Sequence, residues 1–90
     1  LPTLRFTAAL GRFFPGLGQT DLPGTTVDEV LRHAEARFPG LRRYLLEDQG
    51  ALRQHVNIFV NGERIRDRDR LSDALNEGDE VFVLQALSGG

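Results

Sequence analysis

The stretch His55-Val56-Asn57-Ile58-Phe59-Val60-Asn61-Gly62-Glu63-Arg64-Ile65-Arg66 decides the fold. In its first half, Val56, Ile58 and Val60 fall on one side, and Asn57 and Phe59 fall on the other. That is the period of a strand with one buried face. Asn61 and Gly62 both tolerate the positive φ required at the centre of a type I′ turn. The spacing therefore predicts a strand over 55–60, a two-residue turn, and a return strand over 63–66.

Downstream, Arg66-Asp67-Arg68-Asp69-Arg70 reads as a solvated, self-neutralising turn, and Leu71 to Leu75 as a short helical turn under the sheet. Glu77-Gly78-Asp79 leads into a last strand, Asp79 to Leu84, in which Val81 and Val83 share one side and Phe82 and Leu84 the other. Upstream, Leu4, Phe6 and Ala8 alternate with Arg5 and Thr7 as a first strand. Residues Leu10 to Gly18 form a glycine-punctuated loop, and Gln19 to Leu22 a short extended piece closed by Pro23-Gly24. Thr26-Val27-Asp28-Glu29 is a capping box, in which the Thr hydroxyl and the Glu carboxylate each satisfy an orphan amide at a helix start. Val27, Val30, Leu31, Ala34 and Phe38 then recur at helical spacing until Pro39-Gly40. Leu41 to Leu46 reads as a further helical turn, released by Asp48-Gln49-Gly50. The order β-β-α-β-β-(short helix)-β predicts an α+β domain of the β-grasp type, a mixed sheet of about four to five strands wrapped around one main helix.

One helix covers only one face of such a sheet. The valine sets suit the covered face, so Phe59, Phe82 and Leu84 are expected together on the open one. An exposed apolar cluster marks a protein interface; the competing readings are a register off by one residue, or Phe13 and Phe14 folding over the patch and burying it. The last strand is followed by Leu87-Ser88-Gly89-Gly90. Two glycines add nothing to packing and cost the most backbone entropy to order. They make a thread thin enough to enter a cleft where any Cβ would clash. The expected organisation is a single domain over residues 1–90, with 85–90 as a flexible C-terminal tail.

Composition excludes several functions. Ninety residues, 40% hydrophobic and 27% charged, match one small soluble domain. A net charge of −2 with interspersed signs lacks the basic face of a nucleic-acid binder, and no apolar run reaches membrane-spanning length. The absence of cysteine removes disulfides, thiol nucleophiles and thiolate metal sites. All 11 basic residues are Arg. Drift in a GC-rich genome accounts for this, and so does a need to keep amines away from an activated carboxylate. His33 and His55 are far apart and read as surface residues, so no metal site is expected. Ser72 and Ser88 lack a base or a nucleophile elbow, and Gly16-Leu17-Gly18 lacks the strand-to-helix setting of a phosphate loop. No catalytic residue is expected.

Val56-Asn57-Ile58-Phe59-Val60-Asn61-Gly62, then Leu71 and Leu75, then Gly78-Asp79-Glu80-Val81, then Gly89-Gly90, together resemble the ubiquitin-like sulfur carriers of the MoaD/ThiS type. The likeness is most specific over residues 55–90 and weakest from Leu10 to Gly18. Leu1-Pro2-Thr3-Leu4, Phe38-Pro39-Gly40-Leu41 and Asp48-Gln49-Gly50 look nearest to the carriers of an actinobacterial cysteine pathway. Gln85 departs from the family, where Pro often follows the last strand.

The resemblance implies a carrier that catalyses nothing and works in the cytoplasm, monomeric when alone. An adenylating enzyme of the MoeB/ThiF type would consume ATP to activate the Gly90 carboxylate, with no cofactor bound to the carrier itself. Sulfide or an enzyme persulfide would then leave a thiocarboxylate at Gly90, for use by a downstream sulfur-accepting enzyme in cysteine, molybdopterin, thiazole or secondary-metabolite synthesis. Gly89, Ser88 and Leu87 would be the tail, with Leu87 contacting a partner enzyme, and Phe59, Phe82 and Leu84 the docking patch. The alternative is a ubiquitin-like modifier joined through Gly90 to target lysines. No nucleic-acid or membrane partner is expected.

Overall fold

The computed structural model of the chain describes residues 1–85, with Ala9 described by its backbone alone. Its elements are β1 (Thr3–Phe6), α1 (Ala8–Gly11), β2 (Thr20–Asp21), α2 (Val27–Arg37), α3 (Leu41–Leu45), β3 (Val56–Val60), β4 (Glu63–Arg64) and β5 (Glu80–Gln85). The five strands form one sheet in the order β2-β1-β5-β3-β4. The first and last strands lie side by side and parallel, Thr3 opposite Glu80 through Phe6 opposite Val83, while the other neighbours are antiparallel. This is the β-grasp arrangement the element order predicts.

Strand alternation assigns the core. Leu4, Val56, Ile58, Val81 and Val83 are fully buried beneath Val27, Val30, Leu31 and Ala34 of α2. Thr26 caps α2 as expected, its Oγ1 accepting from the Glu29 N–H at 3.2 Å. The Glu29 carboxylate reaches back to the N–H of Thr25 at 2.8 Å. At the other end, the Glu35 carboxylate accepts from the N–H groups of Gly40 and Arg42, both at 2.8 Å, tying α2 to α3. These bonds hold its carboxyl below the ordinary value. Asn61 and Gly62 adopt φ of 51° and 86°, the expected pair of positive values. The Asn61 side chain accepts from the Glu80 N–H and donates to Asp79, each at 2.9 Å, fastening the hairpin to β5.

Four expectations are corrected. Ala8 does not extend the first strand: the chain turns helical at Ala8, which swings Leu10 into the core at 0% exposure. The return strand is shorter than 63–66, because Ile65 turns inward, buried, its N–H donating to the Ile58 carbonyl at 3.0 Å. Gln85 is still in the sheet, opposite Val56.

The fourth correction is the largest. Leu71 to Leu75 is not helical; Leu71 has a φ of 58° and Ala74 bridges Thr26. The carbonyls of Asp73 and Leu71 accept from the N–H groups of Val27 and Asp28 at 3.1 and 2.9 Å, and the Leu75 N–H donates to the Thr25 carbonyl at 2.9 Å. The first amides of a helix have no partner within the helix, and this segment supplies them. A helical turn would have kept those carbonyls for itself. In the Arg-Asp run before it, Asp67 gathers bonds from its own neighbours and from Ser72. The Asp67 carboxylate accepts from the N–H groups of Asp69 and Arg70 at 3.1 and 3.0 Å, and from the Ser72 hydroxyl. The Ser72 bond first, then the backbone amides, lower the Asp67 carboxyl to about 2.

Candidate functional site

Opposite the helix, the pairing register sets one row of side chains across four strands. Arg5 of β1 stands opposite Phe82 of β5, Phe82 opposite Phe59 of β3, and Phe59 opposite Arg64 of β4. The Arg5 guanidinium carbon lies 5.3 Å from the centre of the Phe82 ring, and that of Arg64 lies 5.9 Å from the centre of the Phe59 ring. Both distances suit a cation over an aromatic face. Arg5 is also held by Glu80 at 2.9 Å. In the next row, Leu84 stands opposite Asn57. The Asn57 Oδ1 accepts from Arg68 at 3.2 Å, while Arg68 also donates to the carbonyls of Arg53 and Val56 at 2.8 and 2.9 Å.

The three residues expected on the open face are thus together. Phe59, Phe82 and Leu84 are half-buried and line one shallow groove with Arg5, Gly62 and Glu80. The competing reading, a lid made by Phe13 and Phe14, is not what the chain does. Phe14 packs against the core beside Gly40, its ring edge-on to Tyr44 at 5.8 Å. Phe13 lies 5.5 Å from the same Tyr44 and is 61% exposed. Both rings therefore sit with α3 rather than over the groove.

The arginines of the row were missed as site residues by the sequence reading. A signal for them existed. A two-residue turn at Asn61-Gly62 places Glu63 opposite Val60 and therefore Arg64 opposite Phe59. Arg5 faces outward by alternation with Leu4. The pairing of β1 with β5 that brings Arg5 to Phe82 has no local signal.

Among the described residues there is no group of three or more His, Cys, Asp or Glu placed to hold a metal ion, and His33 and His55 are both exposed. No helix among them is long and apolar enough to cross a membrane. Leu87, Ser88, Gly89 and Gly90 lie outside the described residues.

Comparison with known proteins agrees with this geometry. The model of the ThiS family matches residues 11–90. The chain is 42% identical over 65 residues to small archaeal modifier protein 3 of Haloferax volcanii, covering 72% of this chain and 70% of that protein. It is 36% identical over 69 residues to the sulfur carrier protein CysO of Mycobacterium tuberculosis, covering 74% of each. The crystal structure of the Amycolatopsis orientalis BexX/CysO complex contains a chain that superposes with a TM-score of 0.87 at 27% identity, covering 100% of both chains. The chain belongs to the ThiS family, the ubiquitin-like proteins that include sulfur carriers and small protein modifiers.

Proposed function

We propose that this protein is a sulfur carrier, not an enzyme, and that Gly90 is its reacting residue. The observation that carries the reading is the continuity of β5. The strand that presents Phe82 and Leu84 on the open groove ends at Gln85, and Leu87-Ser88-Gly89-Gly90 come after it in the sequence. A partner seated on the groove therefore engages the strand that the diglycine follows in the chain.

The chemistry follows from the weakness of a carboxylate as an electrophile. Its charge repels nucleophiles and oxide is a very poor leaving group. An activating enzyme of the MoeB/ThiF type joins the Gly90 carboxylate to the α-phosphorus of ATP and releases pyrophosphate, giving an acyl-adenylate. Sulfide attacks the acyl carbon, the bond to the AMP oxygen breaks, and a thiocarboxylate remains. ATP is consumed by that enzyme, and a second enzyme accepts the sulfur. The carrier's own residues supply binding: the Phe59, Phe82 and Leu84 groove gives apolar contact, the flanking arginines set orientation, and Gly89 with Ser88 lets the acyl group pass a narrow entrance. A chain with no cysteine presents no internal thiol to capture the activated carbonyl.

The second reading is a modifier whose activated Gly90 acylates a lysine of a target. It is favoured by the 42% identity to a small archaeal modifier protein. Intact-mass measurement after incubation with ATP, sulfide and the cognate activating enzyme separates the two. Exchange of one oxygen for sulfur at Gly90 supports the carrier, and adducts on target lysines support the modifier. No change in mass, with deletion of Gly90 harmless in the cell, overturns both.

A further inference from the structure

The return strand leaves the sheet early, and it does so through an exchange of partners. β4 sets Glu63 opposite Val60 and Arg64 opposite Phe59, and the Ile65 N–H still reaches the Ile58 carbonyl. Continued further, this ladder would place Arg66 opposite Asn57 and give the Asp67 N–H to the Val56 carbonyl. The Asp73 carboxylate takes both amides instead, that of Arg66 at 2.9 Å and that of Asp67 at 2.8 Å. Arg68 then reaches back to the edge that β4 has left. Its guanidinium donates to the Val56 carbonyl at 2.9 Å, the Arg53 carbonyl at 2.8 Å and Asn57 Oδ1 at 3.2 Å.

The last of these bonds orients a polar group on the open face. A guanidinium only donates, so the Asn57 amide turns its oxygen toward Arg68 and its NH2 away. Among the described residues, no acceptor takes a hydrogen bond from that NH2. Asn57 stands opposite Leu84, and both are half-buried. Directly paired residues of neighbouring strands hold their Cβ atoms about 5 Å apart, so a partner that covers Leu84 covers the Asn57 amide as well. An NH2 taken out of water with no acceptor carries its full desolvation penalty. The partner must therefore meet it with an oxygen. We infer that Asn57 is a specificity-determining contact for the activating enzyme, donating from Nδ2 to an acceptor oxygen of that enzyme, and that Arg68 is its positioning residue. The inference rests on the carrier reading above. An apolar surface that fits Phe59, Phe82 and Leu84 but offers no oxygen at Asn57 is rejected.

The test is pyrophosphate release by the cognate activating enzyme with the full chain as substrate, beside urea denaturation of each variant. Asn57→Ala is expected to raise the KM for the carrier about fivefold with kcat within about twofold. Asn57→Asp keeps an acceptor for Arg68 and removes the donor; it is expected to raise KM about tenfold without lowering the urea midpoint. Arg68→Lys keeps the charge and loses the planar fork. It is expected to raise KM about threefold in the wild type and no further in the Asn57→Ala background, because it acts through Asn57. A purely structural Arg68 would lower the urea midpoint and leave KM alone. An unchanged KM for folded Asn57→Ala overturns the inference, whatever Asn57→Asp does, while adenylation of the wild type still supports the carrier reading. No rise for Arg68→Lys, or a rise equally large in the Asn57→Ala background, overturns the positioning role of Arg68. If the wild-type chain is not adenylated at all, the carrier reading falls and the inference falls with it.

Discussion

Ile58 and Phe59 are neighbours on β3, yet Ile58 is fully buried under α2 and Phe59 is half-buried on the opposite side. The same contrast runs along β5, where Val81 and Val83 are fully buried while Phe82 and Leu84 line a groove. One face of the sheet is closed by its own helix and carries the fold. The other leaves two aromatic rings half-buried, each beside a guanidinium, and it is here that the proposed function places partner contact.

The sharpest way to break this contrast is to truncate each neighbour in turn. Ile58→Ala is expected to lower the unfolding free energy by about 2–5 kcal/mol, read from urea denaturation, because it leaves a cavity in a closed core. Thr26→Ala tests what holds the covering helix in place. Loss of its bond to the Glu29 N–H is expected to cost about 1 kcal/mol in the same measurement. Phe59→Ala and Phe82→Ala are each expected to cost about 1 kcal/mol or less in stability, the scale of one cross-strand pair, while raising the KM for the activating enzyme. A stability loss for Phe59→Ala equal to that of Ile58→Ala would erase the division between the faces.

The smallest expected effect is a pH dependence. The Asp67 carboxyl is lowered from an ordinary 3.8 to about 2 in the fold, by the Ser72 hydroxyl first and then by backbone amides. A carboxyl with a depressed folded value binds protons more readily when unfolded, so its contribution is complete above the unfolded value and is lost as pH falls toward about 2. The urea midpoint of the wild type is expected to drop across that window. Asp67→Asn is expected to lower the midpoint at neutral pH and to show a shallower acid dependence. An identical acid slope in the variant would remove Asp67 from the account of how the segment before Leu71 is held.

What was legible in the chain was legible for local reasons. The Asn61-Gly62 turn and the Thr26 cap each depend on residues within four positions of one another, and both form as expected. The covered and open faces follow from a period of two. The spacing of Leu71 to Leu75 by itself satisfies a helix, yet the segment is not helical. Its actual partners, the amides of Val27 and Asp28, lie more than forty residues earlier in the chain. The first strand ends early for a similar reason: alternation continues to Ala8, but the chain turns helical there and Leu10 is buried in the core.

By itself the sequence determined which side chains face the helix, which face away, and that a diglycine follows the last strand, since alternation and chain order are properties of one segment at a time. Tertiary structure alone decided the row Arg5–Phe82–Phe59–Arg64 and the gathering of Arg43, Arg53 and His55 around Gln85. Both depend on register between strands and loops far apart in the chain, above all the parallel pairing of β1 with β5 across more than seventy residues. No short stretch of sequence carries that register. It is set where the whole core closes.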